Sequence, residues 1–199
     1  MSIVVEHEKR RREILEKALD VFLEEGFEDV TFQKLADRCG ITRTTLYIYF
    51  KNKKEIFNFS IKQLLQTLED NLTRIVKEKN LLYREKLIRV MNAIIEHIEV
   101  NRRILAVVLN YLQYIAKSDR NPDYRVRRRT VRFRHILSTL IIEGIKSGEF
   151  VKSINVKDAI IILHSLLEAA VFRLVVLRRD SVDELKEAIN LTVNRMTKE

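Results

Sequence analysis

The sequence predicts an all-α protein with about nine to ten helices, arranged as a small N-terminal helix-turn-helix domain and a larger C-terminal helical domain. The chain of 199 residues contains only four glycines and one proline, where average usage gives roughly 24. Sheets and long loops need those residues for their turns. Apolar residues recur with helical spacing, and recognisable start and stop signals separate the apolar stretches.

The first helix is expected from about Glu8 to Glu25, with Gly26 as a left-handed C-terminal cap. Thr31 is expected to cap a short second helix that ends near Arg38 and is closed by Gly40. A helix of this length is not stable alone. The first helix must therefore bury the apolar faces of its short neighbours, which gives a three-helix bundle.

Thr42 is expected to cap the third helix, which carries Leu46 and Phe50 on its inner side. Asn52 and Glu55 form the pattern of a capping box and open a fourth helix that runs to about residue 78. The later helices are expected at Tyr83–Val100, Arg103–Lys117, from Asn121-Pro122 to Ser147, from Asn155 to about Arg179, and from a capping box at Ser181–Glu184 to Met196. The domain boundary is expected inside the fourth helix, near residue 60, and the two domains are predicted as residues 1–57 and 58–199.

The net charge of +9 is unevenly distributed. Residues 1–60 contain 11 basic and 11 acidic side chains, so the excess lies in the C-terminal part. Locally, however, the segment from Arg38 to Lys54 contains five basic residues and no acid, and Lys9–Arg12 is a second basic patch. Clustered basic side chains favour a nucleic-acid partner.

Several classes of protein are excluded or disfavoured. The chain has no glycine-rich phosphate loop. The single cysteine, Cys39, can form neither an internal disulfide nor a cysteine-type zinc site, and no two histidines have the spacing of a helical metal pair. We therefore expect no metal and no cofactor. Without a signal peptide or an uncharged apolar run of membrane length, the expected location is the cytoplasm, with no membrane contact.

Residues 31–57 read as helix, glycine-containing turn, helix, and the second helix has polar side chains on its outer face. Residues 45–53, Thr-Leu-Tyr-Ile-Tyr-Phe-Lys-Asn-Lys, follow the pattern T-L-Y-x-Y-F-x-x-K. In these residues and in Gly26-Phe27 the sequence resembles the TetR family of transcriptional regulators. Residues 142–150, which end in Gly-Glu-Phe, also resemble the exit from the eighth helix of that family.

The resemblance implies a role for individual residues of the helix-turn-helix. Gln33 and Arg43 occupy base-contacting positions, and an arginine suits bidentate contact with guanine. Thr44 and Thr45 are expected at the groove floor, while Lys9–Arg12 are expected to add backbone or minor-groove contacts. Phosphate contacts are expected from three further side chains and from the helix that Thr31 caps. The whole predicted DNA-binding set is Thr31, Gln33, Thr42, Arg43, Thr44, Thr45, Tyr47, Tyr49 and Lys53.

For the C-terminal part the resemblance implies effector binding and dimerisation. The helices at about 122–147 and 156–179 are expected to pair with those of a second copy in a homodimer. Polar residues on apolar helices are candidates for the effector pocket, although each is also explained as a hydrogen-bonded core residue: His97, Tyr111, Tyr114, His135, His164 and Glu168. The arginine run at 125–134 has three interpretations, namely a solvated helix surface, an attractor of an anionic effector, or a non-specific DNA contact.

Together these patterns predict a sequence-specific transcriptional regulator that binds a double-stranded DNA operator. The resemblance implies a repressor that a small-molecule effector releases from a palindromic operator. An activator and an effector-independent architectural protein are the alternatives. An enzyme is not expected, because Glu168 and His164 form the one carboxylate–histidine pair at helical spacing and no nucleophile accompanies them.

Overall fold

A computed structural model describes residues 2–118 and 123–197, and the side chains of residues 5–116 and 132–197. The described chain is built of helices, which confirms the predicted all-α class and the predicted number of helices. A π-helical turn, Phe172–Val176, continues the eighth helix. The nine α-helices are α1 (Ser2–Asp29), α2 (Phe32–Cys39), α3 (Arg43–Tyr49), α4 (Lys53–Lys77), α5 (Tyr83–Val100), α6 (Arg102–Ser118), α7 (Asp123–Ser147), α8 (Val156–Val171) and α9 (Asp183–Asn194).

The described chain divides into two compact units. The first contains the residues up to Thr67 together with Arg103–Ser118, and the second contains Leu68–Arg102 and the described residues that follow. α4 therefore begins in the first unit and ends in the second. α6 belongs to the first unit although it comes after α5 in the chain. The division into domains 1–57 and 58–199 stays a prediction.

An aromatic core joins α1, α4 and α6 in the first unit. The rings of Phe22 and Phe57 meet edge to face with centroids 4.9 Å apart, and the ring of Tyr111 lies 4.8 Å from that of Phe57. Phe27 lies 4.4 Å from Tyr111. Buried rings contribute much of the stability of a small core. The predicted bundle of three helices is therefore extended by α4 and α6, which supply two of these rings.

The ends of the short helices follow the predicted caps. The Thr31 hydroxyl accepts a hydrogen bond from the Lys34 N–H at 3.2 Å, and the Thr42 hydroxyl accepts one from the Thr45 N–H at 3.1 Å. Gly40 closes α2 in the left-handed conformation, with φ 67° and ψ 36°. The three predicted caps are thus confirmed. They could be predicted because each depends only on residues within one turn of each other.

Two predictions about α1 are wrong. The helix begins at Ser2, not near Glu8. Gly26 has φ 78° and ψ 169°, which is a conformation that only glycine adopts readily but is not the left-handed cap. The chain therefore extends at Gly26 before one more helical turn ends α1 at Asp29.

Two capping boxes differ from the expected pattern. The Asn52 side chain accepts from the Glu55 N–H at 2.9 Å, as expected, but the Glu55 carboxylate accepts from the Lys51 N–H at 2.6 Å and not from Asn52. The box at Ser181 is wrong, since α9 begins at Asp183 and has no side-chain cap.

Two further predicted ends concern α7 and α8. α8 ends at Val171 and gives way to the π-helical turn, so the predicted continuous α-helix to Arg179 is also wrong. The predicted start of α7 at Asn121 and Pro122 lies outside the described residues.

The second unit has an aliphatic core built by α5, α7, α8 and α9. The segment 142–150, expected as the exit of an eighth helix, is the exit of the seventh helix in this chain. There the ring of Phe150 lies against Gly144 so closely that any side chain at this position would clash with it. Fully buried members of this core include Leu87, Met91, Ile95, Leu140 and Leu163.

One described stretch, Val156–Val176, is long and apolar enough to cross a membrane by length and composition. It also carries charged side chains, among them Asp158 and Glu168, and α8 packs against α5, α7 and α9. An apolar helix surrounded by other helices is typical of a helical protein core. The absence of a membrane contact stays a prediction.

Candidate DNA-binding surface

α3 is buried along one side and exposed along the other. Leu46 on its inner side is fully buried, and Phe50, directly after the helix, is nearly so. On the outer side Tyr47 and Ile48 are 50% and 68% exposed, and Arg43 at the first position is exposed as well. A short helix anchored in this way presents its outer side chains to a DNA groove.

The ring of Tyr47 is held between two neighbours. The ring of Phe32 lies 4.5 Å from it, centroid to centroid, and the guanidinium of Arg43 lies 5.7 Å from its centroid. The Arg43 guanidinium also donates to the Tyr47 hydroxyl at 3.3 Å. This bond occupies one of the five guanidinium N–H groups, so Arg43 is ordered and still suited to a bidentate base contact.

The other predicted side chains surround this pair. Thr44 is exposed beside Arg43. The hydroxyl oxygens of Thr42 and Thr45 lie 2.8 Å apart, so both hydroxyls are already hydrogen-bonded at the start of α3. On α2, the amide of Gln33 donates to the Asp37 carboxylate at 2.7 Å. These predicted residues thus lie on two consecutive helices, α2 and α3, or cap them. Their individual DNA contacts stay predictions.

Lys53 has a structural contact that the sequence analysis missed. Its ammonium group donates to the carbonyl oxygens of Phe27 at 2.9 Å, Glu28 at 2.8 Å and Val30 at 2.8 Å. The ammonium also lies 4.9 Å from the ring centroid of Phe27. Partial burial lowers the pKa of Lys53, while Asp29 and Glu28 oppose this effect. Lys53 therefore holds the segment after Gly26, and its predicted phosphate contact stays a prediction.

Part of the local positive charge is already paired. Arg38 on α2 forms an ion pair with Glu24 on α1, which lowers the pKa of the Glu24 carboxyl group and raises that of Arg38. Lys34 pairs with Glu25 at 2.5 Å. The sequence pattern did not indicate the pairing of Arg38, because Glu24 lies 14 residues away in the chain.

The basic patch near the N-terminus has two kinds of side chain. Lys9 and Arg12 are exposed and keep their predicted role in backbone or minor-groove contact. Arg10 pairs with Glu13 at 2.9 Å, and Arg11 lies over aromatic rings of the core.

Ile48 is a surface residue that the sequence analysis did not assign. A large aliphatic side chain in the middle of a polar helix face was the available signal, because it lies off the buried stripe of Leu46 and Phe50. A methyl group in this position suits contact with the methyl of thymine.

The candidate effector residues lie in both units. In the first unit the rings of Tyr111 and Tyr114 lie 4.4 Å and 5.8 Å from Phe27. Both tyrosines line a cleft of about 280 Å³ that also includes Glu25 and Glu28.

The other four candidates belong to the second unit. His135 lines a cavity of about 390 Å³ with five other residues, and His164 Nδ1 lies 3.2 Å from Glu168 Oε1 on α8. His97 has a buried Nε2 with no hydrogen-bond partner among the described residues, and burial lowers its pKa. The companions of His135 in the cavity are Glu69, Thr73, Arg132, Phe133 and Ile136.

The arginine run lies partly outside the described side chains. Within the described part, Arg134 is exposed and Arg132 donates to both carboxylate oxygens of Glu69 at 3.0 Å. Among the residues whose placement is described, no three histidine, cysteine, aspartate or glutamate side chains come together as metal ligands would.

Two family profiles match this chain. One, described as bacterial regulatory proteins of the tetR family, matches residues 14–58. The other, described as a tetracyclin repressor-like C-terminal domain, matches residues 81–171. The first match contains α2, α3 and the turn between them, and the second extends from just before α5 to the end of α8.

Individual proteins show the same likeness. The fatty acid metabolism regulator protein of Bacillus subtilis (strain 168) is 25% identical over 147 residues, 74% of each chain. A TetR transcription regulator from Haloarcula marismortui superposes with a TM-score of 0.82 at 19% identity, over 96% of this chain and 100% of that one. The regulator FadR from Bacillus subtilis, in complex with stearoyl-CoA, superposes with a TM-score of 0.71 at 23% identity, over 94% and 97% of the two chains.

Proposed function

The chain belongs to the TetR family of bacterial regulatory proteins, and we propose that it is a repressor that leaves a palindromic operator when a small-molecule effector binds. The observation that carries the proposal is the geometry of α3. One side of this helix is locked into the core through Leu46, and the other side exposes Arg43, Tyr47 and Ile48. Side chains fixed before binding lose little conformational entropy when they meet DNA.

Within this surface, base reading is assigned to Arg43 and Gln33, with thymine contact by Thr44 or Ile48. Tyr47 and Tyr49 contact phosphates, and the start of α2 at Thr31 places backbone N–H groups at another phosphate. Base contacts give specificity, whereas phosphate contacts fix the register of the protein on the duplex. Loss of a base contact is therefore expected to change the sequence preference, whereas loss of a phosphate contact is expected to weaken binding to every sequence.

A homodimer supplies the two recognition helices that a palindrome requires. α8 and the turn that follows it expose a row of large apolar side chains, which supports pairing through the helices at 122–147 and 156–179. Large apolar side chains exposed on one helix are typical of a protein–protein contact. The exposed apolar residues are Ile161, Ile162, Phe172, Val176 and Leu177.

The effector is assigned to the second unit and to the class of acyl compounds with an anionic head group. The cavity of about 390 Å³ is bounded by the apolar side chains of Phe133 and Ile136 and by Arg132. The Arg132 guanidinium donates to the Glu69 carboxylate, so an anionic head group would bind by replacing that carboxylate. A structural relative was solved in complex with stearoyl-CoA, which has both an acyl chain and anionic groups. Such a ligand shifts the protein away from DNA only if it binds the released state more tightly.

The proposal is tested by selecting bound DNA from a random duplex library at near-physiological salt and sequencing it. Recovery of a palindrome is expected, and the spacing of its halves gives the distance between the two recognition helices. The same selection is repeated with protein that has been unfolded and refolded to remove any ligand. Absence of an enriched sequence in both experiments would contradict a sequence-specific regulator and would favour an architectural DNA-binding protein. The cytoplasm, where operator DNA is accessible, is the proposed location.

A further inference from the structure

The first turns of α1 are tied to the C-terminal end of α3 by two ring contacts. The imidazole of His7 stacks on the ring of Tyr49, with centroids 4.6 Å apart and planes inclined by 24°. One turn later, the guanidinium of Arg11 lies 5.1 Å from the ring centroid of Phe50 and 4.3 Å from that of Phe59. Residues i and i+4 lie on the same face of a helix, so one face of α1 lies along the end of the recognition helix.

His7 is exposed, whereas Tyr49 is half-buried. The stack therefore does not remove the imidazole from solvent. It holds an ionisable ring beside the tyrosine that is assigned to a DNA phosphate. Lys9 and Arg12, which follow on α1, are also exposed.

We propose that His7 is a DNA-phosphate-binding residue, positioned by Tyr49, that binds the DNA backbone in its protonated form. The proposal rests on the proposed function, since it requires α3 to enter DNA. Imidazole usually gains its proton between pH 5 and pH 8, and a neighbouring anion favours the charged form. A phosphate placed against the stack would therefore recruit a proton to the imidazole.

The segments on either side of the stack carry charged groups of both signs. On α1, Arg10 and Arg11 follow His7 by one turn, and two carboxylates flank it in sequence. Lys51 follows α3, and its N–H donates to the Glu55 carboxylate of α4 at 2.6 Å. With Lys9 and Arg12, which also follow on α1, the charged side chains of these segments are Glu6, Glu8, Lys9, Arg10, Arg11, Arg12, Lys51 and Glu55, and the hydroxyl of Tyr49 is a further ionisable group. A DNA phosphate adds an anion beside the imidazole and favours its charged form, so DNA binding takes up a proton and weakens as the pH rises.

The test uses the full-length protein and a fluorescent duplex of arbitrary sequence, because phosphate contacts do not depend on sequence. The Kd is measured by fluorescence anisotropy over a series of KCl concentrations, at about pH 6 and about pH 8, on either side of the usual imidazole titration. The plot of log affinity against log salt reports the number of phosphates neutralised.

Wild-type protein is expected to bind about three- to tenfold more tightly at the lower pH, with a salt slope steeper by about 0.9, the value for one additional phosphate. His7→Phe keeps an aromatic ring for the stack but carries no proton, so its slope should be the same at both pH values. His7→Lys carries a permanent charge, so its slope should be steep at both. Since every variant retains His97, His135 and His164, these residues do not account for a difference among the three proteins.

A wild-type slope that does not change with pH would overturn the proposal. So would a His7→Phe variant that keeps the full pH dependence, because another group would then bind the proton. Complete failure of the wild-type protein to bind duplex DNA at low salt would overturn the proposed function itself. Circular dichroism of each variant checks that the helical content is unchanged.

Discussion

α3 and α8 both expose isoleucine, but the surroundings of these side chains differ. Ile48 on α3 is 68% exposed and shares a short helix with Arg43 and Thr44. On α8, Ile161 and Ile162 are 47% and 51% exposed and continue towards other large apolar side chains. A charged, hydroxyl-rich surface suits a wet contact that must be released, whereas an apolar row suits a dry contact that persists. The difference indicates that exposure alone does not identify a partner, and that the neighbouring side chains do.

The largest expected effect comes from changing an exposed isoleucine to glutamate on α8, with the same change on α3 as the comparison. Ile162→Glu places a charge in the apolar row of α8, and we expect dissociation into monomers. Loss of the second half-site then weakens operator binding by about 10²- to 10⁴-fold, as expected when two linked contacts become one. Ile48→Glu is the matched variant on α3, and its mass in analytical ultracentrifugation should equal that of the wild type. Dimers of unchanged stability for Ile162→Glu would contradict the assignment of α8.

The second prediction concerns the stability of the first unit. Lys53→Met removes the donor shared by the carbonyls of Phe27, Glu28 and Val30, and we expect a loss of about 2 kcal/mol in the free energy of unfolding, because these partly buried or exposed acceptors lose charged hydrogen bonds. Lys54→Met, at an exposed position, should change it by less than about 0.5 kcal/mol. Urea unfolding followed by circular dichroism compares the two variants. Equal stabilities would show that the three carbonyl contacts are unimportant.

The third prediction separates base reading from phosphate contact on α3. Arg43→Ala should weaken binding to the selected operator by about 1–3 kcal/mol and relax the preference at one base pair. Tyr49→Phe removes one phosphate contact, so it should weaken binding to operator and scrambled duplex alike. Anisotropy titrations of both variants with both duplexes make the comparison. An equal loss on the two duplexes for Arg43→Ala would contradict its role in base reading.

The smallest expected effect concerns pH and the second unit. Burial lowers the pKa of His97 below the ordinary value of about 6.5. Protonation of His97 is therefore less favourable in the folded state than in the unfolded chain. Neutral His97 contributes to the free energy of unfolding at a pH above the ordinary imidazole pKa, and this contribution is lost as the pH falls through the pKa of the folded state. The free energy of unfolding should therefore decrease in this direction, by no more than about 1.4 kcal/mol for each pH unit. His97→Gln should remove this component, and a variant with the wild-type pH dependence would exclude His97 as its source.

Much of the first unit could be predicted because its signals are local. Thr31, Thr42 and Gly40 act within one helical turn, so neither packing nor partners are needed to recognise them. The contacts of Lys53 with carbonyls 23 to 26 residues away leave no such local pattern. Nor did periodicity indicate that Tyr111 of α6 lies in the aromatic core with Phe57.

In the second unit the failures have the same cause. Ser181 has the sequence of a capping residue, but Val182 occupies the N-cap position of α9 and no side chain caps the helix, since a local preference is weak and is readily overridden. Glu69 and Arg132 are 63 residues apart, and their meeting beside a cavity depends on the packing of α4 against α7. The polar residues proposed for one pocket from their residue types are instead distributed over two units.

The continuity of α4 has a consequence for anyone who splices this regulator to another. From Lys53 to Lys77 the helix contains neither glycine nor proline, so it offers no joint at which a change in length could be absorbed. One residue inserted near Thr67 would advance the α4 residues that follow it by about 1.5 Å and rotate them by about 100° relative to the α4 residues before it. A chimaera joined within α4 therefore has to keep the number of residues in this helix unchanged, so that its buried side chains stay on the same face. A series of one- to four-residue insertions is expected to turn Leu68 and Leu72 off the buried face of α4 and then back towards it with the period of the helix, and urea unfolding of the series would follow this change.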